Sequence, residues 1–206
     1  MAEEKNEDKR FEIICGLLLA IFAAVLAFNE LGAGKFGADE LASYNEKASA
    51  YAWYNSKSIK ENLADGQKDI LQSLIEAGSI KADQEVAIKK TIDKLETKVE
   101  KYGKEKNEIL FGSKKVGKDN WVQDVGGKMG KVIGAEEWGE KSQVLGAIGD
   151  SFDLGTLFLQ IGLVFGAISL VLQVGQFKWV ALTGMVFMCS IGSFFTVISF
   201  MKGFGL

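Results

Sequence analysis

The chain has 206 residues and a formal net charge of -3, and it contains neither histidine nor proline. Without histidine, no imidazole can serve as a general base, a metal ligand or a haem ligand, which excludes most hydrolase mechanisms. Cys15 and Cys189 lie in apolar runs, where thiols behave as small hydrophobic groups, so we expect no thiolate metal site. The composition therefore predicts a protein that is not an enzyme and that holds no cofactor or metal.

The first predicted element is an apolar run from Phe11 to Phe28. It approaches the roughly 20 residues needed to cross a bilayer core about 30 Å thick, and Glu12 at its edge is its one acid. Because the run is longer than the apolar core of a signal peptide, we expect a retained transmembrane helix. Gly16, Ala20 and Ala24 recur every four residues on it and are candidate helix contacts, since small residues let membrane helices approach closely.

A long helix is predicted next, after Gly32, Gly34 and Gly37, which we interpret as a break. Apolar or small residues recur at every third or fourth position, as expected for a helix with one buried stripe. The stripe consists of Leu41, Tyr44, Ala48, Tyr51, Asn55, Ile59, Leu63, Gly66, Ile70 and Leu74.

A second helix follows a predicted turn at residues 77–79. Asp83 is a candidate N-cap, and Gly103 interrupts the pattern without ending the helix. The apolar positions of this helix are Ile88, Ile92, Leu95, Val99, Tyr102 and Ile109. Together the two helices predict an antiparallel hairpin or coiled coil, with the stripes facing each other or a neighbouring subunit.

The segment from Gly112 to Gly149 contains nine glycines among apolar residues. It is too apolar for a disordered linker and too rich in glycine for a long helix, so we expect short helices and turns. Trp121 and Trp138 either anchor this segment at the membrane interface or pack against the hairpin.

Two further apolar runs, Leu154 to Val174 and about Trp179 to Met201, are predicted transmembrane helices. Small residues on them are candidate helix contacts, either within one chain or between copies. These are Gly155, Gly162, Gly166 and Ser169 on the second helix and Gly192 and Thr196 on the third. Gln160 is strongly polar and is expected to bond a neighbouring helix.

The predicted fold is thus an all-α integral membrane protein with three transmembrane helices and a helical-hairpin, coiled-coil-like domain between the first and second. The predicted divisions are an N-terminal tail (1–10), a transmembrane helix (11–28), the hairpin domain (29–111), a glycine-rich amphipathic connector (112–153), two transmembrane helices (154–174 and 177–201) and a C-terminal tail (202–206).

The distribution of basic residues indicates an orientation. The residues ahead of the first run include Lys5, Lys9 and Arg10. Only Lys35 is basic in the fifteen residues after the run, which favours a cytoplasmic N-terminus and places residues 29–153 outside the cytoplasm. Lys178 falls on the cytoplasmic side, whereas Lys202 faces outward and weakens the bias.

Two glycine motifs are similar to nucleotide-binding loops but lack the required context. Gly32, Gly34 and Gly37 have the dinucleotide-binding spacing, yet no strand precedes them. Gly126, Gly127, Gly130 and Lys131 are similar to a phosphate loop, but a valine replaces the serine or threonine that would bind magnesium. Residues 29–153 carry 19 lysines and 22 acids without a basic stripe. We therefore expect neither nucleotide nor nucleic acid as a partner.

The stretch AYAWYNSKSIKE, at residues 50–61, resembles a bacterial membrane-protein family known only as a domain of unknown function (the domain of unknown function 4337 family). The order of one membrane helix, a long helical segment and two membrane helices is also similar. The resemblance implies a multi-pass protein of the bacterial cytoplasmic (inner) membrane, and it supplies no activity that could be transferred to this chain. In the helix itself, Trp53, Lys57 and Lys60 lie on a different face from the predicted stripe. They could contact a partner or a lipid headgroup, or form a solvated flank.

Three classes of function fit these features. We favour a structural or assembly protein that binds membrane lipid and either copies of itself or a larger membrane complex. A channel or stator-like subunit would need polar groups within the membrane, where Gln160, Thr183 and Thr196 are available. A sensor would have to pass its signal to a partner within the membrane.

Overall fold

The computed structural model describes residues 2–172 and 175–205 of the chain. Within these residues the chain is helical apart from short connections and one pair of two-residue strands. The elements in chain order are α1 (Ala2–Glu76), α2 (Ala82–Phe111), α3 (Ser113–Val116), a 3-10 helix (Lys118–Asn120), β1 (Asp124–Val125), β2 (Lys128–Met129), α4 (Ala135–Val171) and α5 (Gly175–Phe204). Val174, the predicted end of the second membrane run, lies outside the described residues.

Three of the helices, α1, α4 and α5, are long and apolar enough to cross a membrane. They contain the three predicted apolar runs, so the all-helical fold with three candidate spans is confirmed. Two of them extend well beyond those runs. α1 continues to Glu76, and α4 begins at Ala135, so the last part of the predicted connector is helix that continues into the second run.

The predicted break at Gly32, Gly34 and Gly37 is wrong, because α1 runs through all three glycines. Gly32 is buried against two rings: a methyl group there would lie 2.6 Å from Cε1 of Phe152 and 2.8 Å from Cζ of Phe200. A glycine inside a helix costs up to about 1 kcal/mol relative to alanine. The close packing that Gly32 permits offsets this cost, so this glycine allows helices to meet and does not end one.

The chain divides into two compact units, and the first contains the residues up to Leu41 and those from Gln143 onward. It therefore holds the apolar part of α1, most of α4 and the whole of α5. One apolar cluster joins all three helices and comprises Phe11, Cys15, Leu159, Leu182, Met185 and Cys189. A second comprises Phe36, Ile148 and Phe152, with Phe200 packed against it. Side chains from separate parts of the sequence thus build two apolar clusters in this unit.

The second unit, Ala42–Ser142, contains the rest of α1, the whole of α2 and the segment that leads to α4. A turn joins the two helices, and Gly78 adopts a φ of +63° in it, a conformation that glycine adopts without strain. The apolar cluster of this unit is small and comprises Ala50, Ile109 and Ala135, with Trp53, Tyr54 and Leu110 packed against it.

The predicted second helix corresponds to α2, and three of its stripe residues, Ile92, Leu95 and Ile109, are buried. The predicted N-cap at Asp83 is wrong. The residue in the cap position is Lys81, which makes no side-chain capping bond, and Asp83 lies in the first turn. A carboxylate there is still favourable, because the helix dipole places partial positive charge at this end.

The apolar stripe predicted for α1 is not buried. All ten of its residues are exposed, and the six large apolar side chains from Tyr44 to Leu74 are 40% to 67% exposed. α1 instead turns the opposite half of its surface toward α2, through a mixture of small, aromatic and charged residues. These include Ala50, Trp53, Tyr54, Lys57, Glu61 and Ala64. The periodicity correctly indicated a helix, but the residues that face α2 are not the most apolar ones.

Residues 112–134 contain the short helices and turns that the glycines predicted, but the prediction is wrong for residues 135–149, which belong to the long helix α4. β1 and β2 form an antiparallel pair in which Asp124 lies opposite Met129 and Val125 opposite Lys128. Gly126 and Gly127 form the turn, with φ values of +61° and +78°. Two consecutive residues with positive φ define the tight turn that suits a two-residue hairpin loop. Gly126 and Gly127, which belong to the stretch that is similar to a phosphate loop, therefore form a β-turn.

Candidate functional site

The best-connected buried polar group in the first unit is the side chain of Asn29 on α1, which is fully buried. Its Nδ2 atom donates to the carbonyl oxygen of Phe152 at 3.0 Å and to Oγ1 of Thr156 at 2.8 Å, both on α4. Its Oδ1 atom accepts a hydrogen bond of 2.6 Å from Thr196 on α5. One amide thus uses both of its donors and its acceptor to join three helices.

Space for this amide comes from a glycine on α4. A methyl group at Gly155 would lie 2.8 Å from Oδ1 of Asn29 and 3.3 Å from Oγ1 of Thr196. The buried groups here are an amide and hydroxyls, which do not titrate near neutral pH, so they can position helices but cannot relay protons as acids or bases. The exposed Glu30 carboxylate accepts from Thr156 at 3.1 Å at the margin of this cluster.

The small residues predicted on α4 and α5 lie at contacts within this unit. Gly162 faces α5: a methyl group there would meet Sγ of Cys189 and lie 3.2 Å from the carbonyl oxygen of Met185. At Gly192, a methyl group would lie 2.9 Å from the backbone nitrogen of Leu159. Such short distances mean that the two backbones approach too closely for any side chain.

The remaining small residues of these helices also meet neighbours in the chain. A methyl group at Gly166 would meet the side chains of Met185 and Leu19. Ser169 is buried and donates a hydrogen bond of 2.8 Å to the carbonyl oxygen of Lys178. The small faces of α4 and α5 are therefore used to pack one copy of the chain.

The small residues predicted on α1 are placed differently. Gly16, Ala20 and Ala24 are all exposed, and among the described residues no atom beyond the nearby backbone of α1 itself lies within 4 Å of a methyl group built at Gly16. α1 instead packs on α4 and α5 through Cys15 and larger apolar side chains. This small-residue face of α1 therefore remains open to lipid or to another protein.

The hydrogen bond predicted between Gln160 and a neighbouring helix is not made within the described residues of one chain. Gln160 is exposed on α4. It lines a shallow groove of about 320 Å³ together with Leu157, Ile161, Val164, Phe165 and Ile168. The residues of α4 that face α5 lie elsewhere on the helix, at Gly155, Leu159 and Gly162. Helical rotation therefore carries Gln160 away from that contact.

The three residues predicted to contact a partner do not form one surface. Trp53 is half-buried against Ala50 and Ile109. Lys57 points at α2, where its Nζ lies 2.7 Å from Oε2 of the buried Glu105. Only Lys60 is exposed. Trp53 and Lys57 therefore join the two helices and are not free to bind another molecule.

A second ion pair joins the same two helices, between Glu61 of α1 and Lys106 of α2. Lys106 also lies over the Tyr54 ring, with Nζ 5.5 Å from the centroid. Both ion pairs are mostly shielded from solvent. Paired charges at a contact favour one register, because any shift would leave a charge without its partner.

Glu108 organises the segment that follows α2. It is fully buried, and its carboxylate accepts hydrogen bonds from Oγ of Ser113 at 2.7 Å and from the backbone nitrogens of Val122 and Gln123 at 2.8 Å each. Ser113 in turn accepts from the backbone nitrogen of Val132 at 2.9 Å. This single carboxylate thus fixes a chain segment that has little apolar core of its own.

Both tryptophans of this segment have partners within it. Trp121 donates to the carbonyl oxygen of Ser113 at 2.7 Å, and its ring covers Gly130. Trp138 has the Lys141 ammonium 5.0 Å from its ring centroid. Nearby, the Glu136 carboxylate accepts a hydrogen bond of 2.9 Å from Lys115 and raises the pKa of that ammonium.

Sequence reasoning missed both Asn29 and Glu108. Asn29 was assigned to the polar segment after the first run, although it continues the spacing of Cys15, Phe22 and other inward residues on α1. That spacing is the signal that could have identified it. Glu108 gave no such signal, because it is one of many charged residues on α2 and two of its three hydrogen-bond donors are backbone groups.

Among the described residues, no group of three or more histidine, cysteine, aspartate or glutamate side chains is arranged to hold a metal ion. Over residues 11–202, the chain matches the family model described as a domain of unknown function (DUF4337). This match confirms the resemblance noted at residues 50–61. No curated protein and no solved structure matches the chain.

Proposed function

We propose that this chain, which belongs to the DUF4337 family, is a non-enzymatic structural or assembly protein of the bacterial inner membrane. In this proposal α1, α4 and α5 each cross the membrane, and residues 29–153 lie on the extracytoplasmic side. The protein acts by associating with copies of itself or as an accessory subunit of a larger membrane complex.

The observation that carries the proposal is the exposed apolar surface of α1 beyond its membrane run. Side chains such as Tyr44, Ile59, Leu63 and Ile70 are exposed although they belong to no candidate membrane run. Large exposed apolar patches on a polar domain are typical of surfaces that bind another protein or a membrane. A protein whose role is assembly needs such a surface and needs no catalytic group.

The domain that carries this surface is, in the same proposal, a helical hairpin with coiled-coil-like contacts. The second part of α1 and α2 are joined by a short turn, and the ion pairs between Lys57 and Glu105 and between Glu61 and Lys106 link them. A rigid pair of helices would hold the exposed stripe in a fixed position. Rigid presentation favours binding, because little conformational entropy is lost when a partner binds.

The hydrogen bonds that two threonines make in the candidate spans favour an assembly role over the conduction of ions. Thr196 donates to Asn29, and Thr183 donates to the carbonyl oxygen of Trp179 in its own helix. A proton-driven channel or stator depends on ionisable groups or a polar lining within the membrane. These two threonines instead satisfy contacts within the chain, which leaves the channel alternative with less support.

The test is the native mass of the tagged chain, expressed at its normal level and transferred with its lipids into nanodiscs. We expect a multiple of the 22.4 kDa chain mass or a defined complex with another membrane protein, identified by mass spectrometry. A single copy with no co-purifying protein would contradict the proposal. Ion flux through the purified chain in liposomes would favour the channel alternative.

A further inference from the structure

In the second unit, the exposed side of α1 carries uncharged residues, whereas the exposed side of a helix in water usually carries charged ones. Between Tyr44 and Leu74, the outward half of α1 carries uncharged residues, with Asp69 at its edge as the exception. These exposed uncharged residues are Tyr44, Asn45, Ala48, Ser49, Tyr51, Ala52, Asn55, Ser56, Ile59, Asn62, Leu63, Gly66, Gln67, Ile70, Ser73 and Leu74. A solvated helix normally shows the opposite pattern, with charges outward.

The charges of the same stretch lie on the other half of the helix, and several are already paired. Lys57 pairs with Glu105, Glu61 with Lys106, and Lys68 with Asp65. The segment is therefore not poor in charge: Lys57 and Glu61 are turned toward α2, whereas Glu46 and Lys60 are exposed on sides of α1 away from the stripe. Depletion of charge combined with exposed tyrosine and aliphatic side chains is characteristic of the centre of a protein interface.

The exposed area is large enough for a stable contact. Six side chains, Tyr44, Tyr51, Ile59, Leu63, Ile70 and Leu74, are each at least 40% exposed. Their combined exposed surface is on the order of 700 Å², close to the roughly 800 Å² that each partner buries in a standard-size interface. The residues between them are small or neutral and polar, so another helix could approach along the whole stripe.

We propose that this face of α1 binds the same face of a second copy of the chain, in parallel. The inference rests on the proposed assembly function and names its partner. Copies inserted in one membrane with the same orientation run α1 in the same direction, so each stripe residue meets its own counterpart. An uncharged face can meet itself without repulsion, whereas a face that recognised a charged partner would carry complementary charge.

The amide side chains on the stripe also suit self-pairing. Asn55 lies in line with the apolar positions, and Asn45 and Asn62 flank them. An amide is both a donor and an acceptor, so it can bond the identical amide of a parallel copy. A buried asparagine at such a position fixes the register of a coiled coil, because any shift would leave the amide unpaired.

The test compares two lysine substitutions in the full-length chain in nanodiscs. Ile70→Lys puts a charge on the stripe, whereas Gln72→Lys puts the same charge two residues away on another side of α1, and both positions are exposed. Two lysines facing each other in low dielectric cost several kcal/mol, so Ile70→Lys should weaken self-association by about 100-fold or more. Gln72→Lys should leave the native mass unchanged. A double variant, Ile59→Ser with Ile70→Ser, tests the same contact without an added charge and should also lower the mass.

The outcomes separate this inference from the proposed function. If the stripe variants retain the oligomeric mass, the chain self-associates elsewhere; the inference fails and the assembly function stands. If the native chain is one copy bound to a different protein, the inference fails and the accessory-subunit form of the function stands. A single copy without any partner would overturn both.

Discussion

At the scale of single residues, Asn29 connects the three apolar helices, because its amide donates to α4 and accepts from α5. A buried amide without partners would destabilise the fold, so the side chain is favourable only while both neighbours are in place. Asn29 therefore determines in which arrangement α1, α4 and α5 pack, and it contributes less to the strength with which these helices attract each other.

We predict that Asn29→Leu lowers the stability of the protein by about 2 kcal/mol, since it removes three hydrogen bonds from a buried site. Thr196→Val removes one of the same bonds, so the effects of the two substitutions should not add. A double-mutant cycle, measured by unfolding in mixed micelles, should give a coupling energy of about 0.6 to 1.7 kcal/mol. Thr183→Val is the control, because Thr183 bonds only within its own helix. Strict additivity of Asn29→Leu and Thr196→Val would contradict this account.

Residues such as Glu108 show why part of the candidate site could not be predicted. Patterns of apolar residues indicate which face of a helix is buried, but two of the three hydrogen-bond donors to Glu108 are backbone nitrogens more than ten residues away in sequence. Their position depends on the local turns after α2, which no periodicity encodes. The inward position of Asn29 could have been predicted more easily, because Asn29 continues the spacing of the inward apolar residues on α1.

At the scale of whole elements, α4 and α5 are joined by glycines that leave no room for a side chain. Gly162 lies against Cys189, and Gly192 lies against Leu159. In lipid, helices gain little from hiding apolar surface, so this close approach supplies much of their attraction through van der Waals contact.

We predict opposite effects for alanine at two glycines of α4. Gly162→Ala should lower the thermal unfolding temperature, because the added methyl group would overlap Cys189 and push the helices apart. Gly149→Ala should raise stability by about 0.5 to 1 kcal/mol, since no described atom beyond the nearby backbone of α4 lies within 4 Å of the added methyl group and alanine favours the helix. Thermal unfolding in detergent, followed by circular dichroism, measures both. Equal effects of the two substitutions would be inconsistent with the close packing at Gly162.

The sequence predicted which segments are helices better than it predicted which side of each helix packs inward and where each helix begins and ends. The spacing of three and four correctly indicated helices in α1 and α2, because that period is intrinsic to a helix. The stripe of α1 does not face α2, because Lys57 and Glu61 face α2 as ion pairs while Ile59 and Leu63 remain outside. The alternative that this stripe faces a neighbouring subunit stays a prediction. The break at Gly32 was wrong because tertiary packing outweighed the low helix propensity of glycine.

At the scale of the whole molecule, the starts of the first and third apolar runs lie side by side. Lys178 at the start of α5 lies 4.9 Å from the centroid of Phe11, and Trp179 packs edge-on against the same ring. The start of the first apolar run and the start of the third are therefore neighbours. This agrees with the proposal that Lys178 and the basic N-terminal residues share the cytoplasmic side.

We predict that a cysteine at Ser79 reacts with an impermeant maleimide in intact cells, because this exposed turn is proposed to lie outside the cytoplasm. Phe177→Cys is the matched control, since Phe177 is exposed near the start of α5 and should react only after permeabilisation. The native chain provides the background, as Cys15 and Cys189 are buried. The reverse pattern of labelling would invert the orientation.

Oxidative cross-linking in native membranes tests directly whether the outward face of α1 joins two copies of the chain. Ile70→Cys should give a disulfide-linked species of twice the chain mass, because parallel copies place each Ile70 opposite its counterpart. Gln72→Cys, exposed on another side of the same helix, should remain as single chains under the same oxidant. No cross-link at Ile70, or equal cross-linking at both positions, would contradict the claim that this face joins two copies.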